Sequence, residues 1–429
     1  MKKPLIPVLR VKSLQDKSIQ EILNRPLGGD PAIESRVKEI IQQVKEGGDE
    51  AVLKLAKQYD GLKGSLKISP AKLSQLAKKC PGPVARAINE AIKRIRDFHR
   101  HQKETTWMLH QDDGVILGQQ IRPLNRVGAY VPGGAGVYPS TAMMTIIPAQ
   151  VAGVKNIAVL TPAPRGLHPS LAYTLVKLGI NEVYQTGGAQ AIALLALGTK
   201  KVPCVDKIVG PGNVYATLAK KELFGRVDID MIAGPSEILV LADESVPPAW
   251  VAADLLSQAE HGSGFEASVC ICTNETVAQN ISREISLQVE TSPKKEILQT
   301  SLSRFGRIFV VPDWDWALDL ANTIAPEHLE IMTKKPERLA KKIVNAGAIF
   351  LGPYTSEPVG DYFAGPNHTL PTNGSARFFS PLGVYDFYKR TSIIQYSQKA
   401  LQKNGKSIVA LAQEEGFFHH AQAIAKRLD

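Results

Sequence analysis

The sequence predicts an α/β fold of parallel sheets covered by helices. Two observations predict it. From about Val115 onward, strand-like runs at 156–160, 182–186, 207–209, 238–241, 268–272 and 307–310 alternate with helical patterns such as 171–178 and 189–197. Strands separated by helix-length segments pair in parallel, because the chain must cross back over the sheet before the next strand. In addition, glycine-rich turns follow several runs and open helices, notably Gly187-Gly188-Ala189-Gln190 and Gly210-Pro211-Gly212-Asn213. Ligands in open parallel sheets bind at that edge, where helix N-termini and exposed amides face outward.

Taken in order, the chain opens with a short arm over residues 1–26. Val37, Ile40, Ile41 and Val44 then repeat at helical spacing and stop at Gly47-Gly48. Asp49 starts a second helix through Val52 and Leu55, and Ser69-Pro70 reads as an N-cap followed by proline at the first helical position. Val84, Ile88, Ile92 and Ile95 mark a longer helix to about Phe98. Boundaries fall near Tyr130, Ile238 and Pro381, and a last helix over about 407–428 looks like an appendage that needs a partner surface. Its apolar residues include Ile408, Leu411 and Phe418.

The 429 residues are 44% apolar and 21% charged, which suits a soluble globular chain large enough for two domains. No apolar run approaches the roughly eighteen residues that span a membrane, and the first residues lack the apolar core of a signal peptide. The net charge of +10 raises nucleic-acid binding, but the basic residues are scattered in doublets such as Lys78-Lys79 without interleaved aromatics. They read as solvated surface with modest attraction for anionic cofactors. Cys80, Cys204, Cys270 and Cys272 have no framework spacing and read as thiols of a reducing compartment.

Polar residues concentrate in a few stretches. Tyr130 to Ser140 is dense in glycine and proline, so a phosphate or flat ring can approach its backbone. Ala233-Gly234-Pro235-Ser236-Glu237 is a further turn. Gln258 and His261, three residues apart at a helix end, share a face and place an imidazole where a divalent metal can sit. Glu327 and His328 cannot share a helical face, but on a turn both can reach one pocket, where histidine suits proton transfer and glutamate suits activation of water. Gly360 to Thr372 carries Asp361 and His368 in a shaped loop, and the terminal segment carries Glu414, Glu415, His419 and His420.

These stretches, in this order, resemble the histidinol dehydrogenases, from about residue 28 to the C-terminus. The resemblance implies two incomplete Rossmann-like domains with parallel sheets covered by helices, a small N-terminal arm and a C-terminal helical extension. The expected division is 1–26 for the arm, 27–129 with 238–380 for the domain carrying zinc and the catalytic residues, 130–237 for the NAD-binding domain, and 381–429 for an extension reaching a partner subunit. It implies a cytoplasmic, zinc-dependent, NAD-linked enzyme that oxidises L-histidinol to L-histidine through L-histidinal. The alternative is a paralogue of the same fold that oxidises another polar alcohol, such as a sulfonated diol. His368 and Glu415 favour histidinol. The implied zinc ligands are Gln258, His261, Asp361 and His420, and the implied catalytic pair is Glu327 and His328. Substrate contacts would be Ser236, Gln258, His261, His328, Asp361, His368, Glu415 and His420, and NAD contacts Tyr130, Gln190 and Asn213. Glu415 and His420 would complete the site of the other subunit in a homodimer. One departure is that Gly262-Ser263-Gly264 stands where many relatives follow the histidine with an aspartate.

Overall fold

The computed structural model describes residues 5–26, 30–133 and 136–428. Gly134 and Ala135 of the glycine-rich loop, and the first four residues, lie outside them. Two six-stranded sheets dominate the molecule. In one, Arg126–Tyr130 is central, with Asn156–Leu160 and Val183–Tyr184 on one side and Lys207–Val209 and Asp228–Ile229 on the other, all parallel. In the second, Glu237–Ala242 is central, flanked by Ala267–Cys272 and by His328–Met332, again parallel. Each sheet therefore reverses its strand order beside its first central strand, which opens a crevice there.

Both sheets are covered on both faces, which is why their strands read as continuous apolar runs. In Asn156–Leu160, Val159 packs into one core while Ala158 and Leu160 pack into the core on the other face. In Glu237–Ala242, Ile238, Val240 and Ala242 face one core, and Leu239 and Leu241 the other. Cys270 and Cys272 share a face, as alternate strand residues must, with their sulfurs 3.7 Å apart. Each fully buried aliphatic side chain contributes roughly 1.5–3 kcal/mol, so the two strands at the reversals anchor their domains.

The sheet order corrects the expected division of the chain. Residues 31–129 do not join the second sheet. Pro31–Asp60 packs on the helices Gly188–Leu197 and Val214–Leu223, Lys67–Ile68 pairs with Val183–Tyr184, and Arg126–Tyr130 is the centre of the first sheet. The N-terminal arm is not free either. Val8–Arg10 pairs in parallel with residues 308–310 as an edge strand of the second sheet. The extension contributes a strand, Tyr388–Gln395, antiparallel to Ile116–Pro123 in a third, three-stranded sheet. The final helix is broken: Gln398–Glu414 and Phe418–Ala425 form a hairpin about Gly416, whose φ of 79° suits glycine. At the other end of the chain, the stop foreseen at Gly47-Gly48 is a kink at Gly48 inside Pro31–Asp60.

Candidate active site

The strand His328–Met332 is fully buried, so the segment read as a turn is the start of a central strand. Ala325, at φ 50°, closes the preceding helix and turns the chain into the sheet. Gly347 lies so close behind Glu327 that a β-carbon there would come within 2.5 Å of the Glu327 carbonyl oxygen. Glu327 and His328 therefore sit at the amino edge of the second sheet, the edge opposite the usual ligand crevice.

His328 Nδ1 lies 2.9 Å from the carbonyl oxygen of Glu237 on the adjacent strand. A carbonyl can only accept, so Nδ1 carries the proton and Nε2 keeps its lone pair when the ring is neutral. Nε2 is buried without a hydrogen-bond partner and lies 3.7 Å from Asp361 Oδ1. Glu327 Oε2 accepts from the Glu237 amide at 2.9 Å and lies 3.6 Å from His328 Nδ1. Burial pushes the Glu327 carboxyl up to about 8. Burial works against a charged His328 ring, but the carboxylates of Glu327 and Asp361 outweigh it and push its pKa up to about 10. Glu237 is itself held by a buried ion pair with Arg25 and by the Asn373 amide. Ser236 immediately precedes this strand on the same edge, its carbonyl accepting from Ala267 N at 3.1 Å.

Asp361 lies on a short π-helical turn, Gly360–Ala364, that follows Glu357–Val359 directly. Its backbone carbonyl accepts from His368 Nδ1 at 3.1 Å, and its Oδ2 is 3.8 Å from the same nitrogen. Burial opposes its charge, yet His328 and His368 hold its carboxyl below the ordinary range. Glu357 was not foreseen. It is buried, accepts from Ser257 Oγ at 3.1 Å, and is pushed up to about 8 by burial and by Asp361. His328, Glu357 and Asp361 place ligand atoms within 4.8 Å of one another, a geometry that can hold a metal ion. The available signal was the spacing of Glu357 four residues before Asp361, which shares a face on a helical turn. Beneath it, Glu330 Oε1 accepts from Glu357 N at 2.7 Å, and burial, with Asp254 beside it, pushes the Glu330 carboxyl up to about 9.

Gln258 closes the helix Pro248–Ala259, and both its amide oxygen and its amide nitrogen are buried and unpartnered. His261 follows on the exposed turn, with Nδ1 3.1 Å from the Gln258 carbonyl. Burial lowers the pKa of His368, against the pull of Asp361. Of the ligands the resemblance implied, Asp361 falls in the compact group with His328 and Glu357, whereas His261 and His420 do not. Glu415 and His420 lie on the exposed terminal hairpin, where the His420 ring stacks on Phe417 at 4.9 Å. Neither side chain has a hydrogen bond or ion pair among the described residues.

The three implied NAD contacts gather at the carboxyl edge of the first sheet. Tyr130 ends the central strand and is buried, and its hydroxyl accepts from Gly188 N at 3.0 Å. A β-carbon on Gly210 would strike the Tyr130 carbonyl at 2.2 Å, and one on Gly212 would meet its ring at 3.2 Å, so this turn needs glycine at both positions to close around Tyr130. Gln190 Nε2 donates to Asp60 Oδ2 at 3.0 Å, and Asn213 caps the helix Val214–Leu223 through Ala216 N. The turn amides are less available to an anion than the sequence suggested. Gly187 N donates to Asp60, Gly188 N to Tyr130, and Gly210 N to Asp230. A cavity of about 400 Å³ opens beside them, lined by Pro132, Val137, Pro162 and His168 among others.

Residues 23–428 match the family model for histidinol dehydrogenase. The chain is 51% identical over 399 residues to the histidinol dehydrogenase of Halalkalibacterium halodurans, covering 92% of this chain and 94% of that one. It is 48% identical over 394 residues to the enzyme of Bacillus subtilis, covering 91% and 92%. Its structure resembles the crystal structure of histidinol dehydrogenase from Elizabethkingia anophelis, with a TM-score of 0.93 at 34% identity, covering 100% and 99% of the two chains. A betaine aldehyde dehydrogenase from Staphylococcus aureus shares the fold at 13% identity, with a TM-score of 0.50.

Proposed function

The chain belongs to the histidinol dehydrogenase family, an oxidoreductase family of histidine biosynthesis, and we propose that it oxidises L-histidinol to L-histidine through L-histidinal, using zinc and two NAD⁺. The observation that carries this reading is His328: Nδ1 is committed to a carbonyl, and Nε2 is buried, unpartnered and beside Asp361. A ring held in that tautomer by a fixed acceptor is poised to take a proton at Nε2.

The residues fit a zinc ion. Burying both polar atoms of Gln258 without partners is costly unless a ligand engages them. An amide oxygen of Gln258, a nitrogen of His261, a carboxylate oxygen of Asp361 and a nitrogen of His420 from a second copy form a mixed shell suited to this borderline cation. Bound there, zinc would orient the substrate through its nitrogen atoms and draw the charge of Asp361 away from His328. Tyr130, Gln190 and Asn213 would hold NAD⁺, which would supply the hydride acceptor for each oxidation.

The chain's own groups handle the protons. His328 Nε2 accepts the hydroxyl proton as the alcohol carbon gives up its hydride and becomes the aldehyde. Glu327, one residue away and buried, then removes a proton from the water that adds to the aldehyde. His328 serves again as the hydrated aldehyde loses its second hydride. Ser236, His368 and Glu415 complete the substrate contacts. The enclosed setting retains the reactive amino aldehyde between the two steps.

Assembly follows from the terminal hairpin. Leu411 is 67% exposed and Phe418 65%, on helices whose principal packing partner is each other. A second copy covers that face and brings Glu415 and His420 into the neighbouring site, giving a symmetric homodimer. A reducing cytoplasm suits its four free cysteines, and no described helix is long and apolar enough to cross a membrane. The test is NADH formation with histidinol against other polar alcohols, including a sulfonated diol. Turnover of the diol with none of histidinol would overturn the substrate.

A further inference from the structure

Asp60 is the last residue of the helix Pro31–Asp60, far in sequence from the turn it touches. Its Oδ2 accepts three hydrogen bonds: from Thr186 Oγ1 at 2.8 Å, from Gly187 N at 3.1 Å and from Gln190 Nε2 at 3.0 Å. Two of those donors, on Thr186 and Gly187, lie in the turn after the strand Val183–Tyr184, and the third lies in the first turn of the helix Gly188–Leu197. The neighbouring turn at Gly210 is held in a similar way by Asp230, but Asp230 has Lys220 as an ion-pair partner. Asp60 has no cation partner among the described residues, so its charge rests on these donors.

The bond to Gln190 has a consequence for recognition. An ionised carboxylate can only accept, so the Gln190 atom facing it must be the amide nitrogen. The amide oxygen, Oε1, then lies over Gly188, where a β-carbon would come within 3.3 Å of it. Gly188 sits at φ 58°, a conformation natural to glycine, and leaves that space open. With the Gly187 and Gly188 amides already engaged, Oε1 is a side-chain acceptor that this turn can offer to a ligand, and an acceptor recognises a hydrogen-bond donor.

We propose that Asp60 is a positioning residue for the cofactor, setting the amide of Gln190 so that its oxygen meets an N–H or O–H donor of NAD⁺. This rests on the cofactor site proposed above. Donors of that class are the nicotinamide carboxamide and the ribose hydroxyls. The acceptor geometry matters more than the charge, since one oxygen receives all three bonds.

The test compares Asp60→Ala, Asp60→Ser, Asp60→Asn and Gln190→Ala, with KM for NAD⁺, KM for histidinol, kcat and NADH binding by fluorescence. Asp60→Ser has a side chain one bond shorter, which keeps a polar group near Gly187 but falls short of Gln190, and it serves if Asp60→Ala does not fold. Asp60→Ala and Asp60→Ser should raise KM for NAD⁺ roughly tenfold, as expected for one lost hydrogen bond to a charged group's partner, with kcat and KM for histidinol within about twofold. Asp60→Asn keeps an acceptor oxygen in place and should stay within about threefold of the unaltered enzyme. Unchanged NAD⁺ affinity in Asp60→Ser, with a clear loss in Gln190→Ala, overturns the role of Asp60 and leaves the cofactor site standing. Unchanged affinity in Gln190→Ala overturns the cofactor site at this turn, and the role of Asp60 with it.

Discussion

His328 and Glu237, on adjacent parallel strands, are joined by a hydrogen bond of 2.9 Å from the ring Nδ1 to the backbone carbonyl. The sheet itself thus sets the tautomer of the ring, because a strand carbonyl cannot be mutated away or reprotonated. Replacing His328 with Gln should lower kcat in both oxidations by about 10²–10⁴-fold, the range for loss of a positioned general base, with little change in NAD⁺ binding. Single-turnover rates for histidinol and for histidinal check this, and a loss confined to one of them would show that a different group serves the other.

Glu327 is bonded to the Glu237 amide and is one residue from His328, yet only aldehyde oxidation consumes water. Glu327→Gln should slow histidinal oxidation far more than the first hydride transfer. Equal slowing of both half-reactions would mean that the two residues do not divide the work.

Two sets of residues are candidates for the proposed zinc: Gln258, His261, Asp361 and His420, or the compact group His328, Glu357 and Asp361. His261→Asn should lose zinc and most activity while keeping its fold by circular dichroism. Glu357→Gln should retain one zinc per subunit. Metal analysis of the two purified proteins decides the matter, and zinc lost from Glu357→Gln but kept by His261→Asn would assign the metal to the compact group.

Glu415 and His420 stand on an exposed hairpin, whereas Asp361 is packed against His328. Refolding a mixture of His420→Asn and Asp361→Asn chains should restore activity, since each heterodimer regains one intact site. At equal mixing, random pairing makes half the dimers mixed, so about a quarter of full activity should return. Persistent inactivity in confirmed heterodimers would mean that each chain builds its own site.

The sequence by itself determined the alternating strands and helices, the glycine turns and most of the polar groups. These are local signals: apolar runs bounded by turns, proline and glycine at helix ends, and polar residues too clustered to be surface. His328 shows their limit, because a run buried on both faces has no alternation, so Ala325 to Glu330 read as a turn rather than a central strand. Only the tertiary structure decided that Lys67–Ile68 and Arg126–Tyr130 join the first sheet, that Val8–Arg10 closes an edge of the second, and that Glu357 and Asp60 join the two candidate sites. Each of these depends on pairing between segments remote in sequence. Local periodicity carries no information about such pairing, because a strand or a carboxylate presents the same pattern whichever distant partner buries it.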